Sequence, residues 1–169
     1  LAFQNYKKNN FKKAEQLCNK ILNIDPNHFD TIFFLGSISV QAKNYDTAKK
    51  FLNKAIQIQP NNINAHFNLG RLFKELRNFE KSISCYQKAI QIQPNHARSH
   101  NDLGLVFKEL REFQKSKNCF QKAIEIDSNY AGAYNNLGNI LKELGDYEKA
   151  IINYKKVIQI QPYNLKTYL

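Results

Sequence analysis

KAIQIQPN stands at residues 54–61 and again, unchanged, at 88–95. Looser copies occupy 20–27 (KILNIDPN), 122–129 (KAIEIDSN) and 156–163 (KVIQIQPY), so the phrase returns five times at a constant step of 34 residues. A fixed period of this length constrains the chain more than any other feature. It demands one supersecondary unit, repeated, whose apolar faces are covered by neighbouring copies. A composition of 43% hydrophobic and 23% charged residues is the balance of a folded globular chain rather than a disordered one.

Within each period the apolar residues follow helical spacing twice. Leu103, Val106, Phe107 and Leu110 form one stripe, and Phe113, Cys119, Phe120, Ala123, Ile124 and Ile126 a second, with Arg111 and Glu112 between them. Each period therefore predicts a helical hairpin. Pro26, Pro60, Pro94 and Pro162 all stand in the recurring phrase, where Pro closes one helix and its Asn-containing neighbours open the next.

Other columns acquire mechanical roles. Gly36, Gly70, Gly104 and Gly138 each follow a Leu inside the first helix, where glycine costs about 1 kcal/mol relative to alanine. Close helix packing must offset that cost. The small residues Ala14, Ala48, Ser82, Ser116 and Ala150 of the second helices are expected to oppose the glycines. Leu52, Tyr86, Phe120 and Tyr154, four residues on, are expected to fill the space beside that contact.

Leu-Gly in the first helix, a small residue four before a bulky one in the second, and Pro at the boundary, all at a step of 34, resemble the tetratricopeptide repeat. The resemblance covers essentially the whole chain, read as one domain, 1–169. It comprises a partial repeat (1–26), full repeats at 27–60, 61–94, 95–128 and 129–162, and the start of a further one at 163–169. Two departures stand out: the usual large aromatic early in the first helix is Ile32, His66, His100 and Tyr134, and Ser128 replaces Pro. The resemblance implies an all-α fold of hairpins stacked into a right-handed α-solenoid, with the first helices lining a concave groove.

In this family the groove receives a protein or peptide partner, here expected to be an extended segment. First-helix residues off the core stripe are Asp30, Phe33, Phe34 and Ser37, then Asn64, Phe67, Asn68, Arg71 and Lys74, then Arg98, Asn101, Asp102, Leu105 and Lys108, then Asn135, Asn136, Asn139 and Lys142. An asparagine amide both donates and accepts, so it can pair with the backbone of a ligand whatever its side chains are. Asn68 and Asn136 resemble the asparagine ladder in the repeat domain of O-linked N-acetylglucosamine transferases, interrupted here by Phe34 and Asp102. The alternatives are that the asparagines are simply solvated and that Phe33, Phe34 and Phe67 pack against Phe3 and Tyr6 of the preceding helix. Chaperone-tail-binding members clamp a carboxylate with Lys, Asn and Arg; of the corresponding residues Phe33, Ser37, Asn68, Arg98 and Asp102, only Asn68 and Arg98 match. A chaperone adaptor is not expected.

The net charge of +11 invites a nucleic-acid reading. However, Lys20, Lys54, Lys88, Lys122 and Lys156 form one column and Lys13, Lys81, Lys115 and Lys149 another, both on second helices, with no aromatic stacking platform beside them. A solvated outer face explains them. His96 and His100 have the i, i+4 spacing of two metal ligands but lack an accompanying Glu or a third ligand. No phosphate-cradling loop and no nucleophile set is visible, so neither enzyme activity, cofactor nor metal is expected of this stretch. The expected function is a scaffold binding an extended polypeptide. The alternatives are a substrate-recruiting arm of a larger enzyme, such as a glycosyltransferase, and a basic nucleic-acid-binding repeat domain.

Three cysteines without CxxC spacing argue for a reducing compartment and hence a cytoplasmic location. Cys85 and Cys119 share a column, and stacked helices roughly 8–10 Å apart hold equivalent residues beyond disulfide reach. No apolar run has the length of a membrane span. Leu1 is not an initiator Met, so the stretch is expected to be part of a longer chain. Weak end-to-end self-association is expected through incompletely covered apolar residues around Ile151, Ile158 and Ile160.

Overall fold

The structure, a computed structural model, describes residues 11–162. Among these residues lie nine helices joined by short turns: α1 (Phe11–Ile24), α2 (Phe29–Gln41), α3 (Tyr45–Ile58), α4 (Ile63–Glu75), α5 (Phe79–Ile92), α6 (Ala97–Glu109), α7 (Phe113–Ile126), α8 (Ala131–Glu143) and α9 (Tyr147–Ile160). They group into two compact units divided after Ile92. The first unit holds α1–α5 and the second α6–α9. Phe3, Tyr6 and the expected repeat start at 163–169 lie outside the described residues.

Every full period is the expected hairpin, a first helix of 13 residues and a second of 14. Side-chain caps fix several starts. Asn62 Oδ1 accepts from Ala65 N at 3.0 Å, Asn78 Oδ1 from Lys81 N at 3.2 Å, and Asp146 Oδ1 from Lys149 N at 3.3 Å. The cap falls one residue beyond the recurring Pro-Asn. In that column stand His28, Asn62, His96 and Tyr130, so the asparagine beside the proline does not itself cap; Asn62 does, His28 Nδ1 accepts from Thr31 N at 3.3 Å, and His96 and Tyr130 make no side-chain cap bond.

First helices stop by a shared device. Lys43, Arg77, Arg111 and Gly145 adopt φ of 57°, 55°, 59° and 80°. The next residue then turns its N–H back onto the helix, as Glu112 N does to Phe107 O at 2.9 Å and Asp146 N to Leu141 O at 2.9 Å. Leu110, which its spacing assigns to the core stripe, caps this end and stays 38% exposed, as do Leu76 and Leu144 at 44% and 45%. The reversal at Arg111 turns the leucine out of the interface.

In the first unit, Val40, Ala48, Leu52, Leu69, Leu72 and Phe73 form one cluster, so α3 is shared between α2 and α4. In the second unit, Phe120, Leu137, Ile140, Leu141 and Ala150 do the same around α8. Each fully buried aliphatic or aromatic side chain contributes about 1.5–3 kcal/mol.

The glycine column works differently from the expectation. Bulky residues, rather than small ones, stand over the glycines: a Cβ on Gly70 would lie 2.8 Å from Tyr86 Cε1, one on Gly104 2.7 Å from Phe120 Cε1, and one on Gly138 2.6 Å from Tyr154 Cε1. The small residues pack alongside and add hydrogen bonds. Ser82 Oγ donates to Gly70 O and Ser116 Oγ to Gly104 O, each at 2.8 Å, within fully buried contacts. Glycine is therefore needed to seat a ring, and the serine fastens the hairpin beside it.

Candidate functional site

In the first unit, α2 and α4 carry the candidate residues. Phe33 stacks on Phe29, with centroids 5.9 Å apart and planes 4° from parallel, and packs against two apolar clusters. Phe34 packs against the cluster of Ala14, Cys18, Leu35 and Ile38, which draws on α1 and α2; its alternative neighbours Phe3 and Tyr6 lie outside the described residues. Phe67 tilts against the buried Tyr86 at 5.8 Å and 53°. All three rings remain half-buried. They contribute to packing and keep part of their surface accessible.

Asn68 is placed by a hydrogen-bond chain. Its Nδ2 donates to Ser37 Oγ at 2.8 Å, and Ser37 Oγ donates to Phe33 O at 2.8 Å. This ties α4 to α2 and leaves Asn68 Oδ1 without a partner among the described residues. Arg71 and Lys74 are half-buried on the same helix, and Lys74 lies in its last turn, where a cation complements the helix dipole.

The second unit uses amides more densely. Asn136 Nδ2 donates to Asn101 Oδ1 at 2.9 Å across α8 and α6, and Asn101 Nδ2 donates to Asp102 Oδ1 at 3.0 Å. Asn101 is only 5% exposed, so it is an internal strut rather than an open groove residue. Asn139 Oδ1 accepts from Tyr154 OH at 2.8 Å, which commits part of that amide to the hairpin. Asn135 and Arg98 are exposed, while Asp102, Lys108 and Asn136 are half-buried. Lys108 and Lys142 sit in the last turns of α6 and α8, the same dipole-complementing position as Lys74.

The charges around Asp102 shape their neighbours. Burial, then the Asp102 carboxylate, pushes the Tyr130 hydroxyl above the usual phenol range. Burial and the Arg98 guanidinium hold His96 below the ordinary imidazole value, with Asp102 opposing. The histidines fill structural roles. His66 Nε2 donates to Pro60 O at 2.8 Å and His100 Nε2 to Pro94 O at 3.0 Å, clipping each first helix to the turn before it, and His96 Nδ1 lies 2.7 Å from Ser99 Oγ. Among the described residues, no group of three or more His, Cys, Asp or Glu could hold a metal ion, and no helix is long and apolar enough to cross a membrane.

Two family models match the sequence, the tetratricopeptide repeat over 63–96 and 131–164 and the TPR repeat over 36–77 and 112–145. The chain belongs to the tetratricopeptide repeat family. No curated protein sequence matches this TPR protein significantly. Among solved structures it is similar to MamA, with 23% identity, a TM-score of 0.85 and coverage of 98% of this chain and 97% of that one. It is also similar to PilF of Pseudomonas aeruginosa, with 21% identity, a TM-score of 0.86 and coverage of 94% and 72%. A further likeness is to YrrB, a TPR protein with an unusual peptide-binding site, with 22% identity, a TM-score of 0.73 and coverage of 97% and 84%. At these identities the likeness establishes the fold, tandem helix-turn-helix repeats of the α-solenoid class.

Sequence reasoning placed Ser37 on the first-helix face of this TPR protein without its role, and did not place Tyr154 or Tyr130 there. Ser37 orients Asn68, Tyr154 engages Asn139, and Tyr130 lies in the field of Asp102 and Arg98. Ser37 had a readable signal: a small hydroxyl at an off-core position, four residues after Phe33, whose carbonyl it can reach on one helical turn. The other two depend on contacts between helices, which spacing within a helix does not report.

Proposed function

We propose that this TPR protein is a protein–protein interaction scaffold, and that the first-helix face of each unit holds an extended polypeptide segment. The observation that carries this reading is the fixing of Asn68 and Asn136. Each amide donates one hydrogen to a side chain of the neighbouring first helix, which orients it and leaves its Oδ1 open on a half-exposed face. An oriented amide can pair with a peptide backbone at little entropic cost. Beside Asn68, the half-buried edges of Phe33, Phe34 and Phe67 offer an anchor to an apolar ligand side chain. The peptide-binding site of YrrB, on a similar fold, supports the same direction.

The basic outer face reads as solvated surface. Lys115 pairs with Glu112, Lys122 with Glu125 at 2.8 Å, and Lys149 with Asp146 at 2.6 Å, all one turn apart, and Lys54 Nζ donates to Pro26 O at 2.6 Å. Lys81 and Lys115 lie 5.6 Å and 5.4 Å from the ring centres of Phe73 and Phe107. These lysines are engaged with their own units.

The test is binding of a capped peptide library and of a random oligonucleotide at two salt concentrations, with Phe67→Ala, Asn68→Ala, Asn136→Ala, Lys88→Ala and Lys122→Ala. Asn136→Ala is expected to weaken many peptides alike, by about 1 kcal/mol for a lost net hydrogen bond. Phe67→Ala is expected to penalise peptides with an apolar anchor most, with little salt dependence. Oligonucleotide affinity that falls with salt and with the lysine substitutions, and no peptide binding, would overturn the scaffold reading.

A further inference from the structure

The hydrogen-bond chain of the second unit has a direction. Asn136 donates to Asn101, and Asn101 donates to Asp102. Because Asn101 is buried and both ends of its amide are paired, it holds Asn136 on α8 and Asp102 on α6 in one fixed arrangement. What the chain leaves open is acceptor-rich. Asp102 Oδ2 and Asn136 Oδ1 have no partner among the described residues; of the two remaining amide N–H groups, that of Asn101 belongs to a buried side chain, which leaves the one on Asn136. Arg98, one turn earlier on α6, makes no ion pair with Asp102 among the described residues. The same column elsewhere holds Phe34, Asn68 and Asn136, so the carboxylate is particular to this repeat.

We propose that Asp102 and Asn136 form a subsite for a cationic side chain of the bound polypeptide, a lysine ammonium or an arginine guanidinium. The proposal rests on the peptide-binding reading of this face and adds a charge preference to it. A cation carrying several N–H donors suits a pair of acceptors linked through one amide, and its bond to the carboxylate is charge-assisted. The preference runs against the net charge of +11, which disfavours a basic ligand at long range. Selection of a cation at one ligand position therefore has to come from a local group.

The experiment uses the full chain and library peptides that bind it. Each arginine is exchanged for citrulline, which keeps the shape and loses the charge, and the ratio of the two affinities is measured at every position. At one register the arginine peptide is expected to bind about tenfold tighter, as for a charged hydrogen bond. Asp102→Asn is expected to bring that ratio close to one. Glu148→Gln, which removes an equal charge from the exposed first turn of α9, is expected to leave it unchanged. A ratio near one at every register, or a ratio abolished equally by Glu148→Gln, overturns the subsite while peptide binding itself preserves the scaffold reading. Binding of no peptide at all overturns both.

Discussion

Replacing Gly104 by alanine tests the contact on which the hairpin is built. The new Cβ would stand 2.7 Å from Phe120 Cε1, 2.9 Å from Cδ1 and 3.0 Å from Cζ. Phe120 is fully buried in a cluster with Leu137 and Ile140, so its ring has no free space to swing into. Overpacking of this kind costs about 1–3 kcal/mol, while alanine regains about 1 kcal/mol of helix propensity. The single variant should therefore lose roughly 0–2 kcal/mol. Phe120→Ala alone should lose about 3–5 kcal/mol through its cavity. In that background the obstruction is gone, and Gly104→Ala should change sign and stabilise by about 1 kcal/mol. Wild type, both single variants and the double variant are unfolded in urea and followed by far-ultraviolet circular dichroism, comparing midpoints at a common slope. Equal destabilisation by Gly104→Ala in both backgrounds would refute the ring-over-glycine account.

Arg111→Gly should stabilise the second unit by about 0.5–1 kcal/mol, because φ of 59° strains any side chain with a Cβ; a lower urea midpoint would contradict it. The Cys85 and Cys119 thiols, pushed up to about 11 by burial, should react with iodoacetamide at pH 8 far more slowly in the folded chain than in urea. His96, held below its ordinary value by burial and then by Arg98, favours folding while neutral. The unfolded chain takes up the proton first, so this contribution is complete above about pH 6.5 and is lost as pH falls through the lower folded value; His96→Asn should flatten that part of the stability profile. Tyr147, Ile151 and Ile158 on α9 are 64%, 52% and 51% exposed, so sedimentation should show mass rising with concentration. Ile151→Lys, the residue found in the same column at Lys49 and Lys117, should suppress that rise, and a monomer at millimolar concentration in both would count against it.

The helical hairpins and the solenoid fold class were legible because each rests on residues that return every 34 positions. Gly70, Gly104 and Gly138 announce a close approach wherever they occur, and spacing alone assigns them to one side of a helix. Spacing does not say which neighbour makes the approach. Small residues and bulky ones both lie within one turn of the glycine contact, and only the geometry shows that Tyr86 and Phe120 cover the glycines while Ser82 and Ser116 bond their carbonyls. The left-handed turn was legible at Gly145 alone. At Lys43, Arg77 and Arg111 the same conformation is held by the packing on either side and leaves no mark in residue type.

The candidate site reverses this relation between period and role, because its residues are those in which the repeats differ. One column runs Phe33, Phe67, Asn101 and Asn135, yet Asn101 is buried while Asn135 is exposed. Burial there depends on what the neighbouring first helix presents: Asn136 reaches Asn101 and encloses it. A contact 35 residues apart in sequence, between two columns rather than within one, has no signature in the spacing of either helix. The asparagines could therefore be assigned to a face but not to one another. Their pairing decides which atoms remain for a ligand: an amide with both ends open fits any backbone, whereas one already donating toward a carboxylate selects a ligand that brings its own donors. The proposed charge preference would then depend on the Asn136–Asn101 bond between repeats and on the Asn101–Asp102 bond that orients the carboxylate.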